Sequence, residues 1–110
     1  MATPQRHLHV IRLRAEHRES YLALHREVWP DVLKTITECN ITNYSIFLHE
    51  DLLIGYFEYV GDDMAADMAK MAADPATQRW WKLTDPCQEQ TEHPVPGQWW
   101  TPAEEVFHHD

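Results

Sequence analysis

Pro30 is the residue that most limits how this chain can fold. It closes the stretch Tyr21-Leu-Ala-Leu-His25-Arg-Glu-Val-Trp29-Pro30. Proline has no backbone N–H to donate inside a helix, yet it suits the first position of a new one. The stretch therefore predicts a helix from Glu16 to Val28, ending near Trp29. A second helix starts at Pro30 and runs to Cys39, with Asn40 as its stop. Tyr21, His25 and Trp29 recur at four-residue spacing, which stacks them in one row on the first helix. A phenol, an imidazole and an indole then crowd one face beside a chain break. A buried wall with polar handles has that composition, and so does a small active site.

The rest of the chain falls into place around this pair of helices. His7 to Leu13 reads as a strand. Asn43 to Leu48 and Leu52 to Tyr59 read as two strands joined by a Glu50-Asp51 turn, hence an antiparallel hairpin. Gly61-Asp62-Asp63 ends the hairpin, and either Asp can cap a helix from Met64 to Ala73. Asp74-Pro75 repeats the device, with Asp74 as cap and Pro75 as first residue of a helix to Leu83. Residues 84–102 hold four of the seven prolines and no periodicity, and read as an irregular loop. Glu105 to His108 reads as a last strand. The order is that of a repeated split β-α-β unit, a ferredoxin-like α+β sandwich of the dimeric α/β barrel type. One domain spans residues 1–110, a usual domain size. Helices cover one face of such a sheet, so the bare face predicts pairing with a second copy, a homodimer.

Composition removes several function classes. The formal net charge of −9 argues against a nucleic-acid or anionic-membrane partner, since both call for basic patches. No apolar run approaches the roughly 20 residues of a membrane span, and the N-terminus lacks a signal-peptide core. Cys39 and Cys87 read as free thiols in a reducing compartment, and the expected location is the cytoplasm. With three glycines there is no nucleotide-binding glycine pattern, and no Gly-x-Ser-x-Gly or Cys-x-x-Cys motif occurs. Catalysis falls to His, Tyr and carboxylates.

Among the eight histidines, His7 and His9 alternate on one strand and His108 and His109 adjoin at the C-terminus. A zinc site takes about four converging ligands, and none of these spacings supplies them, so no metal site is expected. His25 beside Tyr21 has two readings: a core or interface histidine satisfied by a neighbour, or a general acid–base group working near neutral pH. Tyr44, on the hairpin, can face it from the sheet. Trp80 and Trp81 are adjacent on a helix and point about 100° apart, so one of the two would face such a site.

Tyr21-x-x-x-His25-x-x-x-Trp29-Pro30, Asn43-Tyr44-Ser45-Ile46, Gln78-Arg79-Trp80-Trp81-Lys82 and Glu105-Val106-Phe107, taken in order, resemble the L-rhamnose mutarotase family. The resemblance implies a dimeric ferredoxin-like fold that interconverts the α and β anomers of L-rhamnose with no cofactor. It implies His25 as proton donor, and Tyr21, Tyr44, Trp80 and Trp81 as sugar contacts. The chain departs from the family pattern in residues 84–102, where Asp85-Pro86-Cys87-Gln88 and Trp99-Trp100 stand, and in the tail Phe107-His108-His109-Asp110.

The residue types suit the reaction. Mutarotation opens the ring at the anomeric carbon and recloses it from the other face. One group protonates the ring oxygen while another accepts the anomeric hydroxyl proton. Positioned acid–base groups contribute about 10²–10⁴-fold each. An indole face can pack on the C–H face and the 6-methyl group of a deoxysugar. Two rival readings share the scaffold: a cofactor-free monooxygenase acting on an aromatic or haem substrate, and a sugar-binding dimer without catalysis.

Overall fold

The computed structural model describes residues 3–110. The first strand, β1 (Gln5–Leu13), lies at the centre of an antiparallel sheet. Helices α1 (Arg18–Arg26) and α2 (Pro30–Glu38) lead to the hairpin β2 (Ile41–His49) and β3 (Leu52–Tyr59). Helices α3 (Met64–Ala73) and α4 (Pro75–Thr84) lead back to β1, whose second edge is shared by β4 (Gln88–Glu89) and β5 (Thr101–Ala103). The sheet order is β2-β3-β1-β4, the order of the ferredoxin-like plan.

The punctuation acts as the chain composition predicts. Asn40 takes φ 64° after α2 and Glu50 takes φ 55° in the hairpin turn. Asp63 Oδ1 accepts from the Ala66 N–H at 3.1 Å, and Asp74 Oδ2 accepts from the Thr77 N–H at 2.9 Å. That backbone bond, joined by the Thr77 hydroxyl, holds the Asp74 carboxyl below its ordinary range.

Three expectations are corrected. The first helix is shorter than Glu16–Val28: a 3-10 turn at Ala15–His17 precedes α1, which ends at Arg26. A residue before proline is pushed out of the helical region, and Trp29 sits at φ −60°, ψ 134°. The loop 84–102 is less irregular than expected, because a 3-10 turn at Asp85–Cys87, β4 and the start of β5 lie in it. The last strand is Thr101–Ala103, and residues 105–108 form none. Val106 and Phe107 are 89% and 72% exposed, and Arg6 Nε donates to Glu105 Oε1 at 2.8 Å.

Alternation along β1 assigns the two sheet faces. Ile11 and Leu13 are buried with Leu53, Cys87 and Tyr21 of α1, so the odd residues of β1 face the helices. Each such aliphatic side chain contributes about 1.5–3 kcal/mol on full burial. A second cluster, Val32, Ala76 and Trp80, joins α2 to α4, with Leu24, Val28 and Trp29 against it. Even residues of β1 face the other way, where Leu8 is 36% and Phe47 of β2 is 61% exposed.

Candidate active site

The row on α1 forms as its spacing requires. The Tyr21 and His25 rings stack with centroids 4.2 Å apart. Trp80 of α4 meets His25 edge-on at 5.3 Å and Trp29 edge-on at 5.1 Å. Although α1 stops before Trp29, the extended link to Pro30 still returns the indole to the cluster. Trp80 is 6% exposed, whereas Trp81 is 37% exposed. Trp81 makes no aromatic contact with the cluster among the described residues.

His25 is held in one tautomer. Its Nδ1 lies 2.9 Å from the Tyr21 carbonyl oxygen, one turn back. A carbonyl only accepts, so Nδ1 carries hydrogen and Nε2 is left to give or take a proton.

Tyr21 is 2% exposed, and burial pushes its phenol well above the ordinary value. It is therefore a neutral hydroxyl at physiological pH, fit to hydrogen-bond but unfit as a base. Gln88, itself 3% exposed, donates through Nε2 to the Tyr21 hydroxyl at 3.4 Å. Its Oε1 accepts from the Trp99 indole N–H at 2.7 Å. The indole, a pure donor, fixes which way the amide points. Tyr21 oxygen thus accepts, and its own proton is free for another partner.

Tyr44 reaches the helix side of the sheet through a β-bulge. The register steps from Thr42↔Glu58 to Ser45↔Tyr56, one extra residue on β2, with Asn43 at φ 47°. A one-residue insertion exchanges the two faces of everything beyond it. Tyr44 then meets Phe57 edge-on at 5.9 Å. The residue is 43% exposed overall, yet the hydroxyl is its enclosed end: desolvation raises the phenol, and its charge would bear on Tyr21.

Sequence reasoning missed Gln88 and Trp99, because their partners lie far away in the chain and no local pattern marks them. Trp100 also turns inward; its ring packs on the first core cluster and would come within 3.3 Å of a Cβ at Gly55. Two cavities, of about 570 and 640 Å³, lie apart from His25: one at Arg12, Arg14 and Glu89, the other beside Arg6, His7, His9, Tyr56 and the C-terminal tail. The aromatic cluster around His25 lines neither cavity. No three His, Cys, Asp or Glu side chains converge among the described residues.

Residues 6–109 match the family described as L-rhamnose mutarotase. An L-rhamnose mutarotase of Lactiplantibacillus plantarum is 32% identical over 102 residues, covering 92% of this chain and 94% of that protein. One from Oceanobacillus iheyensis is 32% identical over 94 residues, covering 84% and 86%. The crystal structure of an L-rhamnose mutarotase from Formosa agariphila superposes with a TM-score of 0.74 at 22% identity, over 96% of this chain and 99% of that one. Tetracenomycin F2 cyclase from Streptomyces glaucescens superposes with 0.72 at 18% identity, over 96% and 97%, which shows the fold alone. The match over nearly the whole length, with the Tyr21, His25 and Trp80 cluster assembled inside it, places this chain in the L-rhamnose mutarotase family.

Proposed function

We propose that the chain interconverts the α and β anomers of L-rhamnose by acid–base ring opening, with His25 as the proton-moving group. The observation that carries this reading is the fixed tautomer of His25, which leaves Nε2 free while the ring stacks on the neutral phenol of Tyr21. In the opening step, Nε2–H of the imidazolium gives its proton to the ring oxygen as the bond from the anomeric carbon breaks. A second acceptor takes the anomeric hydroxyl proton, leaving an aldehyde. Rotation about the adjacent carbon–carbon bond presents the other carbonyl face, and reclosure returns both protons. Tyr21 and Tyr44 hold sugar hydroxyls, while Trp80 and Trp81 pack on the apolar side of the sugar.

The working unit in this reading is a homodimer joined through the sheet face that carries Leu8 and Phe47. Their exposure supports this, since an apolar patch on a one-sided sheet calls for a cover. Among the described residues no helix is long and apolar enough to cross a membrane. Together with the free cysteines Cys39 and Cys87, this suits a cytoplasmic setting. Saturation transfer between the two anomeric protons of L-rhamnose tests the activity. Added protein should raise the exchange rate well above that in buffer. An unchanged rate under sugar saturation would reduce the chain to a binding protein.

A further inference from the structure

The helix-facing side of the sheet carries a polar group that the reaction outlined above does not use. His7 and His9, two residues apart on β1, stand on the same face as Ile11 and Leu13. Their rings form a near-parallel stack with Phe57 of β3, at 5.1 Å and 5.7 Å, and lie 6.3 Å from each other. Phe57 in turn touches Tyr44. The stack therefore reaches Tyr44, whose phenol is near enough to Tyr21 for its charge to bear on it.

Two details make this more than a packed stack. His7 Nε2 is buried and has no hydrogen-bond partner among the described residues. A buried polar atom without a partner is costly, and native folds keep few of them. Next along the sheet, His9 lies opposite Gly55, whose missing side chain lets the Trp100 ring pack close to the strand. Burial also holds both imidazoles below their ordinary range, so each is neutral at physiological pH. A neutral imidazole offers one donor and one acceptor, the pairing that a sugar hydroxyl also offers.

We infer that His7 and His9 form the sheet-side polar wall of the sugar cleft, with His7 Nε2 hydrogen-bonded to a hydroxyl of the bound sugar. The inference rests on the proposed mutarotase reading. It adds two substrate-contacting residues that govern which hydroxyl pattern is held. It also supplies nitrogen acceptors on the sheet side of the wall. Phe57 keeps the rings upright, so little rotamer freedom is lost when sugar arrives.

Substitution to phenylalanine separates contact from packing, because a phenyl ring keeps the stack and removes only the nitrogens. His7→Phe and His9→Phe should each weaken L-rhamnose binding by about three- to tenfold, the effect of one lost hydrogen bond. The melting temperature of His7→Phe should stay level or rise, since an unpaired buried atom is gone. His7→Gln should recover part of the affinity. Long-range ¹H–¹⁵N spectra of the parent should show the His7 and His9 ring nitrogens shifting on titration with L-rhamnose. Parent affinity in both phenylalanine variants, or unmoved ring nitrogens at saturating sugar, overturns the inference while leaving the mutarotase reading standing. A parent that neither binds L-rhamnose nor speeds its anomer exchange removes that reading and this inference with it.

Discussion

Replacing Gln88 tests whether the Tyr21 hydroxyl is oriented from outside the α1 row. In Gln88→Leu the indole N–H of Trp99 loses its 2.7 Å acceptor, but Trp99 is 41% exposed and water can replace it. That loss is about 0.5–1.5 kcal/mol. Tyr21 is 2% exposed as a residue, and its hydroxyl has no such recourse. A buried hydroxyl deprived of its partner costs about 1–3 kcal/mol, although the original bond is long at 3.4 Å, which favours the low end. The two together come to roughly 1.5–2.5 kcal/mol, or a fall of roughly 6–15 °C in melting temperature for a domain of this size. Gln88→Glu is the sharper variant. A carboxylate keeps the Trp99 bond but can only accept, so the Tyr21 proton turns towards it and away from the sugar. Gln88→Glu should therefore stay folded and bind L-rhamnose roughly tenfold more weakly, with the loss in KM rather than kcat. Circular-dichroism melts and saturation-transfer titrations read both effects. A Gln88→Leu protein that melts with the parent, together with a Gln88→Glu protein that binds like it, would refute the orienting role.

Further outcomes follow from the same geometry. Titrating L-rhamnose should change tryptophan emission; the Trp80→Phe, Trp81→Phe double variant should lose most of that change, with Trp80 giving the larger share because it alone meets His25. An unaltered response in the double variant would contradict the aromatic assignment. Stability should fall as pH is lowered from 7.5 to 5, because burial depresses the His7 and His9 imidazoles and the unfolded chain then binds protons first. Below about pH 4 the loss should deepen as Asp67 and Asp74, both held low by hydrogen bonds, are protonated. Urea midpoints that stay flat between pH 7.5 and 5 would count against neutral buried imidazoles. Sedimentation should give a dimer of the 13.0 kDa chain, and a monomer at micromolar concentration would contradict the sheet-face interface.

Where local chemistry decides the structure, the sequence was readable. Asp63, Asp74-Pro75 and Asn40 each act within four residues, and the elements they bound fall where their patterns indicate. The C-terminal pairing was not readable, because it depends on the distant edge of β1. Thr101-Pro102-Ala103 contains a residue with no N–H to give, which only an edge strand tolerates. Glu105-Val106-Phe107 looks more strand-like, yet Arg6 holds Glu105 by its side chain and the backbone stays unpaired. The site divides in the same way. Helical spacing alone aligns Tyr21 with His25. Tyr44 faces them only because the bulge at Asn43 reverses its side, and strand alternation without the bulge would turn it outward. Gln88 meets Tyr21, and Trp99 meets Gln88, through fold-level contacts that no spacing rule reveals.

The proton-moving role of His25 is open to one direct comparison: L-rhamnose anomer exchange by the parent and by His25→Asn, followed by saturation transfer at equal protein concentration. Asparagine keeps a polar side chain at the end of α1 but has no nitrogen that titrates near neutrality. With circular dichroism showing the fold intact and sugar binding retained, catalysed exchange should fall by roughly 10²-fold or more. A folded, rhamnose-binding His25→Asn protein with undiminished exchange would make His25 a structural histidine and move the catalytic acid elsewhere, with Tyr44 the next group to test.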